Sequence, residues 1–496
     1  MGNFGILQIL VVVFALSIAT TTFNKRVLGF PQAIGTPIVA AIFVFSLQWG
    51  ATLLAGNEYI HINIEGIKEQ VVKFDLYNFL INGVICFILT ASAINFKASD
   101  LKSHWKPISI LASISLATCA LIFACALYGF HFLTNNPIPF LILLLLGSAL
   151  GATDPIGIKG VLSSFKAPKH ILIKLEGESL GNDAVCIALF MTILSVINGK
   201  EFTIAGVAQL LAYEIAVAVA IGLAVGWCCI RFMRGKHEKE SLILLIGLLA
   251  ALSYLIALYV HASAPIASVV AGLYVGNKWH EVLTHEETHD VSHFWHTVEG
   301  VINPFLFTMI GLELFLIELN PQLILGGMVA FVILHFARFA GNGICFAFFP
   351  GLRKNRYNGS LAILGWGGVR GAISLALILA VCNMPALQPY ASILIGYTFI
   401  SVLMSGVVCG LGLPAVMNAF YHNPNEHTEG FLGWYQRMCH KLNRKGFKYI
   451  IGEDANGHEI ISIYKPDVEK DQHGVATHDP SAPKEEIEDT QVSTKF

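Results

Sequence analysis

Charged side chains are scarce in this sequence: Asp, Glu, Lys and Arg make up 13% of the 496 residues, and their formal sum is −2. So small a net charge leaves no basic field that could hold nucleic acid. Hydrophobic residues reach 55%, and the mean hydropathy of +0.65 lies well outside the range of soluble globular chains. Most of the chain is therefore predicted to lie in lipid, with ions and the bilayer as its partners.

Two other features are missing. The ten cysteines show no disulfide-framework or metal-ligand spacing, and all but Cys439 lie in apolar runs, so we expect them to be small packing residues. The N-terminal apolar run has no basic segment before it, because Lys25 and Arg26 follow it. It is predicted to be a retained first span, with the N-terminus outside. We expect no cofactor.

Long apolar runs dominate what is present. Runs of the roughly 20 residues that a bilayer requires predict an all-α polytopic membrane protein with about 13 transmembrane helices. The predicted spans begin near Gly5, Gly35, Leu76, Ile108, Ile138, Ile171, Ile204, Ser241, Ser263, Val298, Leu323, Ser360 and Tyr390.

The loops between these runs support that topology. Lys and Arg collect in every second loop, as the preference of positive charge for the cytoplasmic side requires. Residues 1–420 are predicted to form the membrane domain and residues 421–496 a cytoplasmic tail. In the tail, the stretch from His458 to Tyr464 is predicted to pair as a hairpin, and the last ~30 residues to be disordered. The short tail and the lack of targeting signals favour a bacterial inner membrane.

Two predicted spans contain helix-breaking residues. The fifth has the sequence LGSALGATDPIGIKG around Thr153 and Asp154, and the twelfth has LGWGGVRGAISLAL around Arg370. These spans lie seven apart, so they cross the membrane in opposite directions and occupy matching places in two inverted repeats. Interrupted helices are tolerated in lipid only around a cavity. We therefore predict two crossing, interrupted helices at a transporter's midplane site.

Few ionisable side chains lie deep in the predicted spans, and each costs several kcal/mol there (about 2.5 to 3.5) unless it is paired. Three acids face two arginines, which leaves one carboxylate without a fixed counter-charge. The set consists of Asp154, Glu178, Asp183, Arg338 and Arg370. The remaining carboxylate is the candidate substrate site.

Helical phase separates the acids of the sixth span. Ser179 and Asp183 are four residues apart and share one face, as do Glu178 and Asn182, whereas Glu178 and Asp183 point about 140° apart. One carboxylate can therefore be locked by an arginine while the other faces a cavity with a hydroxyl beside it.

We favour Glu178 pairing with Arg338 and Asp154 with Arg370, although the swapped pairing satisfies the same count. Asp183 is then the open carboxylate. The alternative for Asp183 is a buried acid that merely holds helices together.

A Na+ site fits the remaining groups. Na+ prefers hard oxygen ligands, which the Asp183 carboxylate, the Ser179 and Thr153 hydroxyls and water would supply; Asn182 is the fourth predicted ion-binding residue. Partial desolvation of the carboxylate makes a proton and a cation compete for the same oxygens. The residues thus predict exchange of a monovalent cation for a proton.

Four motifs carry a resemblance to a known family. They are TDP (Thr153 to Pro155), ESLGND (Glu178 to Asp183), FLFTMIGLEL (Phe305 to Leu314) and GGVRGAISLAL (Gly367 to Leu377). The order and spacing of these motifs resemble those of the cation:proton antiporter family that contains bacterial NhaP and animal NHE exchangers. The resemblance covers roughly residues 1 to 418. The resemblance implies a homodimeric secondary active Na+ (or Li+)/H+ antiporter. Each protomer would combine a dimerisation domain with a six-helix core that moves like an elevator.

The resemblance also implies residue roles. In that family the residue matching Asp183 binds the ion, those matching Thr153 and Ser179 assist, and the one matching Glu178 pairs with an arginine. The Asn182-Asp183 order resembles the electroneutral branch, with one cation exchanged for one proton. The third span departs from the family, because FILTASAINF offers hydroxyls but no acid.

A histidine row precedes the tenth predicted span, in a loop predicted to lie inside. His285, His289 and His293 are four residues apart, so a helix would place them on one face. Such a cluster could sense internal pH or bind a transition metal. The competing interpretation is a solvated linker.

Three other functions are alternatives for a membrane protein of this kind. K+/H+ exchange would use the same machinery. An intramembrane aspartyl protease would need two cooperating aspartates, for which Asp154 and Asp183 are a possible pair. Nearby arginines would hold both ionised, however, and no GxGD motif occurs. An ion channel would be expected to show a selectivity filter, and the sequence shows no such pattern. A transporter, not an enzyme, is predicted.

Overall fold

The computed structural model describes residues 6–29, 32–54, 79, 83–154, 169–199, 204–235, 238–312, 320–349, 352, 359–382, 384–420, 448–453 and 459–464. Within these ranges the membrane domain is helical. Its helices are α1 Ile6–Phe23, α2 Gln32–Leu54, α3 Ile85–Ile94, α4 Ala98–Ile110, α5 Leu116–Leu133, α6 Phe140–Ala149, α7 Lys169–Ile197, α8 Ile204–Phe232, α9 Lys239–Tyr259, α10 Ala264–Lys278, α11 His285–Leu312, α12 Pro321–Phe348, α13 Ser360–Trp366, α14 Ala372–Val381 and α15 Ala391–Phe420. A π-helical turn, Leu111–Ser115, joins α4 to α5.

Seven helical segments among the described residues are long and apolar enough to cross a membrane, and several shorter apolar helices accompany them. Large apolar side chains on their outer faces are exposed, for example Val11 on α1, Leu244 on α9 and Phe336 on α12. Apolar side chains facing outward are expected where lipid is the solvent. The predicted multi-pass membrane protein is thereby confirmed.

The helices pack as two bundles. The first consists of α1, α2, α3 and α8 to α11, and the second of α4 to α7 and α12 to α15; contacts within each bundle far outnumber those between them. Small residues allow close helix approach in the first bundle. A Cβ on Gly276 of α10 would lie 1.9 Å from the carbonyl oxygen of Ile94 on α3, so only glycine fits there.

Both predicted helix interruptions lie in the second bundle. α6 ends at Ala149, and the chain is non-helical from there to Asp154; the twelfth predicted span is split between α13 and α14. The two breaks meet, because the backbone nitrogen of Asp154 donates a hydrogen bond to the carbonyl oxygen of Val369 at 2.8 Å. The rest of the fifth predicted span, from Pro155 onward, lies outside the described residues.

Two helices begin earlier than predicted. α4 begins at Ala98 instead of Ile108, and α11 begins at His285 instead of Val298. The histidine row, predicted to lie between two spans, is therefore helical. A capping box starts α11: Thr284 N donates to Glu287 Oε2 at 2.8 Å, and Glu287 N to Thr284 Oγ1 at 3.3 Å. Such a cap lets a polar first turn form, which hydrophobicity alone does not reveal.

The tail contains the predicted hairpin. Strand β1, Lys448–Glu453, pairs antiparallel with β2, Glu459–Tyr464, and Lys448 lies opposite Tyr464. The all-α prediction therefore holds for the described membrane helices but not for the tail. The last ~30 residues of the predicted disordered end lie outside the described residues.

Candidate cation site

A cavity of about 440 Å³, with acidic and hydroxyl side chains among mostly apolar walls, lies between the two bundles. The first bundle lines it with α3 and α11, and the second with α7, the break after α6 and the start of α14. Its exposed lining residues are Asn95, directly after the end of α3, and His296 and Gly300 on α11. The cavity is therefore open to the outside near these residues.

One face of α7 supplies acidic and hydroxyl groups to this cavity. Asp183 and Ser179 both line it, together with Thr153 from the break after α6. Ser179 Oγ donates a hydrogen bond to the carbonyl oxygen of Thr153 at 2.5 Å. Because the hydroxyl uses its proton on that carbonyl, its oxygen lone pairs remain available to a cation. The structure thus brings together the three oxygen-bearing residues predicted to bind Na+.

The carbonyl groups at the end of α6 would otherwise lack partners, as at any helix C-terminus. The carbonyl oxygen of Gly151 accepts hydrogen bonds from Asn182 Nδ2 at 3.1 Å and from Arg370 Nη1 at 2.9 Å. Asn182 Nδ2 also lies 3.3 Å from Thr153 Oγ1. Asn182 from α7 and Arg370 from the break between α13 and α14 thereby hold the backbone after α6 in place.

Asn182 lies beside the cavity and not in its lining. Its side chain is 1% exposed, and its amide nitrogen supports the backbone of the break. Its helical phase explains this place, because Asn182 lies one residue away from the face that carries Asp183. Its Oδ1 has no hydrogen-bond partner among the described residues, and an ion-binding role for Asn182 stays a prediction.

The other face of α7 carries an ion pair. Arg338 Nη2 on α12 lies 2.8 Å from Glu178 Oε1, and Arg338 Nε donates to the carbonyl oxygen of Leu364 at 3.1 Å. Both side chains are buried, at 2% exposure for Glu178 and 6% for Arg338. A buried charge is tolerated when it is paired and hydrogen-bonded, so this pair locks α7 to α12.

Arg370 does not follow the predicted pairing. Its Nη1 donates to the carbonyl oxygens of Gly151 and, at 3.5 Å, of Ala152, where a pair with Asp154 was predicted. A guanidinium has several fixed donors, and the carbonyl groups freed by the break accept from one of them, Nη1. Asp154 instead lines the cavity.

Two carboxylates therefore share one cavity, Asp154 and Asp183. Like charges in a partly desolvated space repel, and either a proton or a cation relieves that repulsion. The arrangement favours occupation by a positive species over an empty, doubly charged site.

The histidine row lies elsewhere. His285, His289 and His293 are exposed on the first turns of α11, where the rings of His289 and His293 stack with their centroids 6.2 Å apart. Within the described ranges, no group of three or more His, Cys, Asp or Glu side chains could hold a metal ion. The transition-metal alternative for this row therefore gains no support.

Three titratable residues of the cavity were missed by the sequence reasoning. Glu176, His296 and Glu299 line it alongside Asp183. Glu176 could have been found, because it lies three and seven residues before Ser179 and Asp183 and so shares their helical face. His296 was hidden by the late predicted start of the tenth span, whereas Glu299, next to the predicted start at Val298, was not counted among the membrane carboxylates.

Known proteins similar to this chain identify its family. The family model described as "Sodium/hydrogen exchanger, transmembrane" matches residues 11–418. The Na+/H+ antiporter NhaP of Pseudomonas aeruginosa is 30% identical over 432 residues, which cover 86% of this chain and 99% of that protein. The Na+/H+ antiporter NhaG of Bacillus atrophaeus is 28% identical over 378 residues, 74% of this chain and 69% of that one.

A solved structure supports the fold. The sodium proton antiporter MjNhaP1 from Methanocaldococcus jannaschii at pH 8 superposes with a TM-score of 0.64 and 19% identity, covering 83% of this chain and 97% of that chain. At this identity the likeness shows the fold alone.

Apolar helices, two interrupted helices that meet and carboxylates that face a cavity between bundles together define a secondary transporter, not an enzyme. Because the family match extends over most of the membrane domain, the chain belongs to the transmembrane sodium/hydrogen exchanger family. The resemblance seen in the four motifs is confirmed, and cation:proton antiport is the activity class that its relatives support.

Proposed function

We propose that the protein exchanges Na+ (or Li+) for H+ and that the cation and the proton compete for the carboxylate of Asp183. The observation that carries this proposal is the contrast on α7: Glu178 is held by Arg338, whereas Asp183 faces the cavity. A carboxylate committed to an arginine cannot release and rebind a proton in each cycle without stranding a buried charge. Asp183 has no such commitment among the ion pairs of the described residues.

Oxygen ligands for the cation come from three side chains of the cavity. The Asp183 carboxylate provides the charge, and the Ser179 and Thr153 hydroxyl oxygens complete part of the coordination shell, with water filling the rest. Because water supplies the remaining ligands, the ion is not enclosed by the protein and can leave again.

The proposed stoichiometry is one cation for one proton. It rests on the family resemblance of the Asn182-Asp183 order and on the structural place of Asn182, an uncharged side chain engaged by the break. Each half-cycle would then carry a single positive charge, as either the cation or the proton, so that transport is electroneutral.

The proposed transport cycle moves the second bundle against the first, in an elevator-like alternation of access. Support comes from the packing, which is dense within the bundles and sparse between them, and from the cavity at their boundary. In the same proposal, about 13 spans form two inverted repeats. The N-terminus lies outside and the tail lies in the cytoplasm, and two copies form a homodimer in a bacterial inner membrane.

K+/H+ exchange by the same residues is the second candidate. Carboxylate and hydroxyl oxygens coordinate Na+, Li+ and K+ alike, and nothing in the three ligand types separates them. The test therefore compares Na+, Li+ and K+ directly.

The test uses purified protein in liposomes with an imposed pH gradient. Intravesicular pH is recorded when Na+, Li+ or K+ is added, with a membrane-potential dye present and Asp183→Asn in parallel. We expect Na+ or Li+ to dissipate the gradient in the wild type, no response in the variant and no change in potential. Dissipation by K+ alone would favour the second candidate, and full activity of Asp183→Asn would refute the proposed site.

A further inference from the structure

The helical segment that contains α4 is longer than a bilayer is thick. α4, the π-helical turn and α5 together cover Ser99–Leu133, which has 35 residues. At the rise of a helix this corresponds to about 50 Å, whereas the hydrocarbon core of a bilayer measures about 30 Å. The apolar part from Ile110 to Leu133 covers about 36 Å, which suffices to cross that core. The part of α4 before Ile110 therefore lies at the level of the lipid headgroups and beyond it.

Two lysines and a tryptophan are exposed in this polar part of α4. Trp105 and Lys106 follow Lys102 by three and four residues, so the three side chains lie on one side of the helix. Both lysines are exposed, and Trp105 is 54% exposed. The Nζ atom of Lys106 lies 5.7 Å from the centroid of the Trp105 ring, within the range of a cation–π contact.

The depth of Trp105 fits a membrane–water interface. Five residues along a helix separate it from Ile110, which corresponds to about 7 Å. The headgroup layer on each side of the hydrocarbon core is about 5 to 8 Å thick, and tryptophan is enriched in that layer. The two lysines next to Trp105 are therefore placed where the phosphate groups of lipids lie.

Neither lysine is neutralised by an acid. Exposed lysines elsewhere pair with carboxylates, for example Lys278 with Glu281. Within the part of the chain that the structure describes, Lys102 and Lys106 form no such ion pair. Asp100 is the acid nearest in sequence, but it is two residues from Lys102 and so points to another side of the helix. The positive charge of both lysines is therefore available to an anion.

We propose that Lys102, Trp105 and Lys106 bind the headgroup of an anionic phospholipid. A lysine ammonium group binds phosphate as a point charge, and each lysine near an anionic membrane surface strengthens binding about fivefold. A zwitterionic headgroup has no net charge to attract the lysines, so the site distinguishes the two lipid classes. Since no residue of α4 lines the cation cavity, this site is separate from Asp183 and goes beyond the proposed exchange.

The test measures the quenching of tryptophan fluorescence by lipids that carry bromine in the acyl chain close to the headgroup. The protein is reconstituted in phosphatidylcholine vesicles with increasing fractions of brominated phosphatidylglycerol or, in parallel, brominated phosphatidylcholine. The chain has seven tryptophans, so Trp105→Phe gives the signal of the other residues, and the difference belongs to Trp105. We expect brominated phosphatidylglycerol to quench Trp105 at an about fivefold to thirtyfold lower mole fraction at low ionic strength. High salt should shrink this preference.

Two double variants locate the charge. Lys102→Gln combined with Lys106→Gln keeps Trp105 but removes both ammonium groups, so phosphatidylglycerol should quench no better than phosphatidylcholine. The matched control is Lys239→Gln combined with Lys278→Gln. It removes the same charge from exposed lysines that already contact acids, and it should keep the preference of the wild type.

Free phosphate esters offer the same chemistry as a lipid phosphate, so soluble glycerol phosphate is added in excess as a competitor. We expect it to leave the quenching by brominated phosphatidylglycerol unchanged. Displacement of the lipid would assign the site to soluble phosphate esters and overturn the proposal. Equal quenching of the wild type by the two brominated lipids would also overturn it, as would a preference that survives in the double variant of Lys102 and Lys106. Each of these results leaves the proposed exchange at Asp183 standing, because that is tested separately by Asp183→Asn.

Discussion

The two faces of α7 use the same chemical group in opposite ways. On one face, Glu178 is buried against Arg338 at 2.8 Å. On the other, five residues later, Asp183 lines a cavity with a hydroxyl one turn away. The same helix therefore carries one carboxylate paired with an arginine and one that faces a cavity, where we propose that it exchanges ions. If that proposal holds, the partner of a membrane carboxylate decides its role.

Glu178→Gln should have the largest effect on stability, because it strands the buried guanidinium of Arg338. Removing one member of a buried pair costs about 3–5 kcal/mol. Thermal unfolding of the purified protein in detergent should show a clear fall in melting temperature. An unchanged melting temperature would mean that the two faces of α7 do not differ in the way described.

Asp183→Asn is the matched comparison on the opposite face. It removes a carboxylate that the fold does not pair with an arginine, so the melting temperature should stay the same or rise while exchange is lost. A loss of stability equal to that of Glu178→Gln would show that both carboxylates of α7 stabilise the fold equally, which contradicts the proposed difference.

Arg370→Met should have the next largest effect. It removes a charged donor from the carbonyl oxygens of Gly151 and Ala152, and hydrogen bonds to charged groups contribute about 1.5–3 kcal/mol. We expect a lower melting temperature and slower exchange, measured in the same detergent and liposome assays. If Arg370 were instead the counter-charge of Asp154, Asp154→Asn would restore the stability of Arg370→Met; we expect no such rescue.

Asn182→Asp should have a smaller effect on stability. A carboxylate cannot donate to the carbonyl oxygen of Gly151 or to Thr153 Oγ1, so two hydrogen bonds worth about 1 kcal/mol each are lost. We expect a modestly lower melting temperature, whereas Asn182→Gln, which keeps the amide, serves as the control. Equal stability of Asn182→Asp and the wild type would contradict the support role given to this residue.

Replacing His285, His289 and His293 together by Gln should have the smallest effect. These side chains are exposed and do not line the cavity, and solvent-exposed charges are largely screened beyond about 10 Å. The midpoint of the pH profile of exchange should therefore move by no more than about 0.2 units. A larger shift would restore the prediction that the row senses pH.

Sequence reasoning found the membrane class, the two interrupted helices and the separation of Glu178 from Asp183. Each of these depends on apolar length, helix-breaking residues or helical phase, which are local properties of a sequence. The partner of Arg370 could not be predicted, because backbone carbonyl groups freed by the break become acceptors only in the folded protein. The place of His296 in the cavity was missed for a related reason: a capping box extends α11 backward through polar residues that hydropathy assigns to a loop.

Competition between cation and proton at Asp183 is the central claim, and the pH dependence of the apparent KM for Na+ tests it most directly. The measurement uses liposomes at equal pH on both sides, over the acidic half of the activity range. If the two ions share one carboxylate, KM should rise about tenfold for each unit that pH falls, while the maximal rate at saturating Na+ stays constant. A constant KM with a falling maximal rate would show that the proton acts elsewhere and would contradict the account.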